Sequence, residues 1–178
     1  MEEIFDIVDK NDVVTGIAAR SEVHGNPDLI HRVVHILVFN SKGELFLQKR
    51  SINKDIQPGK WDTSVGGHLD SGETYEEAGF REMKEELYID TDSIEFIHKY
   101  LHTNEIESEY VSTFLCVFDG VIKVCENEIE EGRFFTLKEI EETKYSGKFT
   151  PNFIHEFDLF MESGYCESGS FIVLQEDS

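Results

Sequence analysis

The chain has 178 residues, the size of one domain with a real core, and sets 37 Asp and Glu against 16 Lys and Arg for a formal net charge of −21. So acidic a composition excludes a basic groove for nucleic acid and disfavours an anionic membrane. No apolar run is long enough to cross a bilayer, and the acidic opening Met1-Glu2-Glu3 is unlike a signal peptide. Cys116, Cys125 and Cys166 show no C-x-x-C spacing and cannot all pair, so they read as reduced thiols of a cytoplasmic protein.

In chain order, Met1 to Asn11 alternates weakly and predicts an edge strand. Asp12 to Arg20, with Val13, Val14, Ile17 and Ala18, predicts a strand that turns at Gly16, and His24 to Pro27 is a loop. Arg32 to Asn40 is apolar, β-branched and bounded by Ser41-Lys42-Gly43. It predicts a buried strand and a hairpin turn, with Glu44 to Arg50 returning as its partner. Pro58-Gly59-Lys60 turns the chain ahead of Trp61, and Asp62 to Val65 is a short strand entering a glycine loop. Further on, Ile94 to Leu101, Tyr110 to Phe118 (with Cys116 in its core) and Glu131 to Thr136 read as strands, and Lys138 to Thr143 as a short helix. Phe153, Phe157, Phe160 and Met161 recur at helical spacing and predict a core-packing helix over Phe153 to Met161. Gln175 to Ser178 is expected to fray. Without repeats, low-complexity tracts or linkers, this order of elements implies α/β architecture with helices covering a mixed sheet.

The densest chemistry lies in Gly67-His68-Leu69-Asp70-Ser71-Gly72-Glu73 and then Arg81-Glu82-Met83-Lys84-Glu85-Glu86. Five residues separate Gly67 from Glu73, and seven separate Glu73 from Arg81. Phe80, Met83 and Leu87 carry the helical period, with Asp70 and Ser71 ahead of them as N-caps. On such a helix Glu82, Glu85 and Glu86 project from one face and converge on one point. Hard oxygen ligands at close quarters suit Mg²⁺ or Mn²⁺, which also take phosphate oxygens. Gly67 and Gly72 bracket a tight loop that leaves room for backbone or metal to approach a phosphate. Arg81 is placed to neutralise and orient a neighbouring carboxylate. Alone, such a Glu-rich run is an ordinary solvated helix face; the glycines, Glu73 and Arg81 in register with it make it a site. Carboxylates that repel a diphosphate attract divalent ions, and those ions attract the diphosphate, which reconciles this chemistry with the acidic chain. The remaining surplus, at Glu126 to Glu131 and from Glu162 onward, reads as solvated surface.

This spacing closely resembles the Nudix box, GX5EX7REUXEEXGU with U a bulky aliphatic residue, here over residues 67–89. Every charged position matches. Tyr88 stands where a glycine is expected, and a glycine there usually serves as a left-handed helix cap. The resemblance implies a Nudix-type α/β/α sandwich, one domain over residues 1–178 with N-terminal strands at about 1–22. It also implies metal-dependent cleavage of a diphosphate linked to another group.

Ile30-His31-Arg32-Val33 through Phe39-Asn40, then Gly43 to Ser51, then Trp61, is similar to the type I isopentenyl-diphosphate isomerases. These are a branch of the Nudix superfamily, and the similarity covers most of the first 120 residues. Their metal-binding loop histidine matches His68, but the cysteine two residues before it matches Gly66, which has no side chain to transfer a proton. The pattern looks instead like the hydrolases next to the isomerases, which keep a full box after a GGHL loop. The isomerase resemblance further implies a second metal site at His24, His31, His68, Glu107 and Glu109, where imidazole ligands favour Mn²⁺ or Zn²⁺. Glu107 and Glu109 alternate on one side of a strand; the plainer reading is a solvent-facing strand with surface histidines.

Arg50 and Lys54, with Gln48 and Lys49, form a local basic cluster, either a contact for the substrate's distal phosphate or ordinary strand-end charge. Trp61 is more simply core than a stacking platform, and His35 reads as a satisfied internal histidine. These residues predict a Nudix pyrophosphohydrolase acting on a nucleoside diphosphate linked to another moiety. Metal ions sit on Glu82, Glu85, Glu86 and Gly67, Glu85 or Glu86 is the base, and Arg81 and Glu73 support loop and helix. The rivals are an isopentenyl-diphosphate isomerase, disfavoured by Gly66, and a non-catalytic nucleotide or metal sensor, disfavoured by the complete glutamate set. The N-terminal hairpin offers a surface for a homodimer.

Overall fold

The computed structural model describes residues 2–53, 57–127 and 129–165. Its N-terminal hairpin joins β1 (Ile4–Val8) to β2 (Val14–Ala19), with Asp12 between them at φ 61°. β1 is not the edge strand that its weak alternation predicts: Val8 also pairs with Ile30, so β2 takes the edge. Nor does the chain turn at Gly16, which lies opposite Ile7 inside β2; the irregularity is a shift of register between Ile7 and Val8. A single helical turn, α1 (Arg20–Val23), follows, which the sequence did not announce, and it buries Val23 with Phe5 and Ile7.

The apolar run becomes β3 (Ile30–Phe39), followed by β4 (Leu45–Arg50), β5 (Trp61–Asp62) and β6 (Val65–His68). The predicted hairpin turn after β3 forms, but the two strands share one register pair, Phe39 with Leu45, and then diverge. Ser64 fills the fork, its Oγ accepting from Val38 N at 2.9 Å and donating to the Phe46 carbonyl. The predicted strand over Asp62 to Val65 is accordingly two: β5 pairs with β4, whereas β6 pairs with β3. After α2 (Tyr75–Leu87) come β7 (Glu95–Thr103), β8 (Ser108–Val117), β9 (Ile129–Phe135), α3 (Leu137–Thr143) and α4 (Pro151–Glu162). β3 runs parallel to β8 from Ile30 opposite Ser108 to Phe39 opposite Val117, while β7 and β9 pair antiparallel with β8 and β4.

The two-residue period of β3 sorts the core into layers. Val34, Ile36 and Val38 pack with Ala78, Met83 and Leu87 of α2. Leu37 and Phe39 pack on the opposite face with Phe153, Phe157 and Phe160 of α4. Each such buried phenylalanine contributes about 2–3 kcal/mol of apolar burial. The result is an α/β/α sandwich around a mixed sheet, as the order of elements predicted. Cys116 is buried in the first layer, and both Cys116 and Cys125 are free thiols. Among the described residues no helix is long and apolar enough to cross a membrane. Cys166, Lys54 and the expected frayed end at Gln175 to Ser178 lie outside the described residues.

Candidate functional site

The helix that carries the acidic run starts later than Asp70 and Ser71 suggest. Thr74 is the N-cap of α2: its Oγ1 accepts from Glu77 N at 3.2 Å, and Glu77 Oε2 accepts from Thr74 N at 2.9 Å. Asp70 and Ser71 belong to the preceding turn, where the Asp70 carbonyl accepts from Glu73 N at 3.0 Å and Gly72 takes φ +85°. At the other end Tyr88 occupies the left-handed cap at φ 55°, its N–H donating to Met83 O. The exit turn therefore survives the loss of the expected glycine.

Gly67 is in strand β6 rather than in a loop, and a Cβ there would lie 2.1 Å from Glu82 Oε1. Only glycine lets that carboxylate rest against the strand. Arg81 binds Glu73 through both oxygens, Nε to Oε1 at 2.9 Å and Nη2 to Oε2 at 2.8 Å. It also donates to Glu82 Oε1 at 2.7 Å and to the His68 carbonyl at 3.0 Å, and stands 3.5 Å from Glu85. Burial works to raise the Glu73 pKa, but the Arg81 hydrogen bonds and the Asp70 N–H together hold it below the ordinary carboxylate value. Glu86 Oε2 accepts from Gln48 Nε2 of β4 at 3.1 Å. The predicted convergence of the three motif carboxylates on one point is thus only partial. Arg81 gathers Glu73, Glu82 and Glu85, whereas Gln48 takes Glu86.

Because side chains alternate along a strand, Gly66 and His68 face the side of β6 opposite Gly67. On that side the predicted second cluster comes together. His31 lies opposite Glu109 in the parallel β3–β8 ladder, and His68 lies opposite Val33. Glu109 Oε1 is 3.3 Å from His31 Nε2 and 3.6 Å from His68 Nε2, and among the described residues the ligand atoms of these three lie within 4.8 Å of one another. His24 Nδ1 is 3.4 Å from Glu107 Oε2, and its ring is 5.6 Å from that of His68. His31 is fully buried, and among the described residues neither of its ring nitrogens nor His68 Nε2 makes a hydrogen bond of good geometry, so the contacts to Glu109 are ionic rather than well-aligned hydrogen bonds. Burial opposes the charge on Glu109, but the two adjacent imidazoles outweigh it and hold the carboxyl well below its usual range. Glu107 is pushed upward, by burial and then by Glu109.

The remaining candidates divide. Arg50 Nη1 donates to Asp62 Oδ2 at 3.1 Å, and Lys49 pairs with Glu130. Trp61 is a packing residue, edge-on to Phe135 at 4.9 Å. His35 is satisfied as expected, its Nδ1 2.8 Å from Glu156 Oε1. Sequence reasoning missed Asp6 of β1, which accepts from Ser71 Oγ at 2.6 Å and Gly72 N at 3.0 Å and so ties the hairpin to the motif loop. The signal was a lone charge between Phe5 and Ile7 in an otherwise apolar strand.

A family model for the NUDIX domain matches residues 29–157. The chain belongs to the Nudix family. A Nudix hydrolase of Listeria monocytogenes is 34% identical over 157 residues, covering 86% of this chain and 90% of the relative. An isopentenyl-diphosphate Delta-isomerase 2 of Photorhabdus laumondii is 35% identical over 141 residues, 77% of this chain and 79% of the isomerase. The crystal structure of a Deinococcus radiodurans protein superposes with a TM-score of 0.74 at 28% identity, covering 92% of this chain and 99% of that one. The enzyme class follows: this is a Nudix pyrophosphohydrolase. Nudix hydrolases work with divalent metal ions, and among the described residues His31, His68 and Glu109 bring ligand atoms close enough together to hold one. On one side of β6 Glu82 lies in a cradle that a Cβ at Gly67 would fill; on the other, the imidazole Nε2 atoms of His31 and His68 face Glu109 and, among the described residues, make no hydrogen bond of good geometry.

Proposed function

We propose that this Nudix hydrolase cleaves the phosphoanhydride bond of a nucleoside diphosphate linked to another moiety, with Mg²⁺ or Mn²⁺ held by Glu82, Glu85, Glu86 and the Gly67 backbone. The supporting observation is the fit of Glu82 against side-chain-free Gly67 with Arg81 bridging it to Glu73. When bound, the divalent ions neutralise the diphosphate and activate the attacking water. Glu86, oriented by Gln48, or Glu85, largely exposed, accepts the proton as oxygen attacks phosphorus and the phosphate leaves. Arg81 and Glu73 act on geometry, fixing the motif loop against the helix. Arg50 and Lys54 are proposed contacts for the distal phosphate. Free Cys116 and Cys125 accord with a cytoplasmic setting.

The test is phosphate release, directly and after added phosphatase, from a panel of nucleoside diphosphates, triphosphates and diphosphate conjugates with Mg²⁺ or Mn²⁺. Turnover of some members, reduced about a thousandfold or more in Glu86→Gln, is expected. Unchanged turnover in that variant would remove Glu86 from the chemistry. We also propose that His31, His68 and Glu109, with His24 and Glu107, hold a second ion, Mn²⁺ or Zn²⁺ by the softness of imidazole. Elemental analysis should then find metal still bound after Glu82, Glu85 and Glu86 are all replaced by Gln, and finding none would sink this second site.

A further inference from the structure

Asp6 is the one charged residue of β1, set between Phe5 and Ile7, which turn to the other face of the strand and pack with Val23. It is 8% exposed, and both of its carboxylate oxygens are spent on the motif loop. Oδ1 accepts from Ser71 Oγ and Oδ2 from Gly72 N, while Ser71 N donates to the Ile4 carbonyl at 3.0 Å. Burying a carboxylate is costly unless hydrogen bonds replace its water, and here the loop supplies them. Docking the hairpin does not account for this arrangement. The hairpin is already anchored by Val8 paired with Ile30, by the apolar contacts of Phe5 and Ile7, and by Asp12 at its turn. Arg32 Nε donates to Asp12 Oδ1 at 2.6 Å, Tyr75 Oη donates to Asp12 Oδ2 at 3.1 Å, and Lys99 pairs with the same carboxylate. What Asp6 adds is a grip on the loop between Asp70 and Glu73.

That loop passes its geometry directly to the motif helix. Gly72, at φ +85°, leads into Glu73, whose Oε2 accepts from Asp70 N at 3.0 Å and from Arg81 Nη2, and whose Oε1 accepts from Arg81 Nε. Every guanidinium nitrogen of Arg81 is engaged, Nη1 with Glu82 and Nη2 also with the His68 carbonyl. A shift of Glu73 must therefore move Arg81 or break the pair. We propose that Asp6 is a positioning residue of the hydrolase: by clamping Ser71 and Gly72 it holds Glu73 where Arg81 fixes Glu82. This rests on the hydrolase reading above and brings the N-terminal hairpin into that same site. Asp6 acts through the loop, Glu73 and Arg81 in turn. Supporting contacts of this kind hold a catalytic group to within about 0.5 Å of its place, and a displacement of about 1 Å can cost about a hundredfold in rate.

The experiment compares wild type, Asp6→Ala and Asp6→Asn as full chains. One readout is turnover of whichever panel member the wild type cleaves. The other is water exchange of the Arg81 Nε–H, followed by ¹⁵N NMR and assigned by its loss in Arg81→Lys. Asparagine can keep both bonds, its Oδ1 accepting from Gly72 N and its Nδ2 donating to Ser71 Oγ, whereas alanine keeps neither. In Asp6→Ala we expect kcat lower by about tenfold or more with KM within about twofold, and Arg81 Nε–H exchange faster by about tenfold or more. Asp6→Asn should bring both back to within about threefold of wild type. A mere tie between hairpin and loop would lower the melting temperature and leave the Arg81 signal alone. Either kcat or the exchange within about twofold of wild type in Asp6→Ala, or no rescue by Asp6→Asn, overturns the proposal. Absence of turnover in the wild type overturns the hydrolase reading, and the Arg81 exchange still decides whether Asp6 sets the geometry of the motif. Where Asp6→Ala does not fold, Ser71→Ala takes its place, an exposed change that removes the loop's side of the 2.6 Å bond. Faster Arg81 exchange in that variant is expected, and unchanged exchange overturns the proposal.

Discussion

Two adjacent glycines on β6 face opposite ways, and each is a glycine for a different reason. Gly66 makes room for the His35 ring, and Gly67 makes room for the Glu82 carboxylate. Neither needs a left-handed backbone, so the constraint is space. Gly67→Ala is therefore predicted to act on chemistry more than on folding. Alanine costs a strand little, but its methyl must push Glu82 out of reach of Arg81. A displacement of about 1 Å in a catalytic group can cost about a hundredfold in rate. We expect kcat to fall by about that factor, with the unfolding midpoint within about 4 °C of wild type. Steady-state kinetics beside a thermal melt checks both, and kcat near wild type would mean that the place of Glu82 against β6 is immaterial.

At the scale of the element, α2 shows a left-handed cap at Tyr88, φ 55°, without the glycine that usually relieves it. A non-glycine residue there costs about 1 kcal/mol, and Tyr88 is 60% exposed, so removing its ring loses little packing. Tyr88→Gly is predicted to stabilise the protein by about 0.5–1 kcal/mol in denaturant unfolding, and a lowered midpoint would show that the ring outweighs the strain. This helix also shows how far residue type and spacing carry. Its charged face and its apolar stripe were legible, because each depends on residues within a few turns of one another, whereas Tyr88 in the glycine's place left its exit open until the structure showed the left-handed cap. Its start was misread because Asp70 and Ser71 are good caps by type, although Thr74 followed by Glu77 already spelled the reciprocal capping pair. The partners of its carboxylates were not legible. Gln48 reaches Glu86 from 38 residues away, and only the divergence of β4 from β3 brings it there. The inner place of β1 was missed for the same reason, since a strand's own alternation does not name its neighbours. The histidine cluster came through because a resemblance supplied long-range pairings that periodicity cannot.

Across the whole molecule, His35 and Glu156 form a charged link between the central sheet and the C-terminal helix, beside an apolar layer of phenylalanines and leucines. Such a link makes the docking of α4 depend on pH. His35 is raised from 6.5 to about 9 in the fold, so it contributes stability that is fully present below 6.5 and lost as pH rises through about 9. Glu156 is lowered from 4.5: burial opposes its charge, and His35, with the hydroxyls around it, more than compensates. Its contribution is present above 4.5 and lost as pH falls through the lowered value. The two statements describe one pair, whose full contribution lies between 4.5 and 6.5 and erodes on the alkaline side first. The right reference is the double variant His35→Gln with Glu156→Gln, because removing one partner leaves a buried charge alone, whereas two amides hydrogen-bond without titrating. Melts from about pH 6 to about pH 10 should show the wild-type midpoint falling relative to that of the double variant, most steeply around the raised His35 value. Parallel curves for the two proteins would mean that the pair is not ionised in the fold and that the docking of α4 does not depend on its charge.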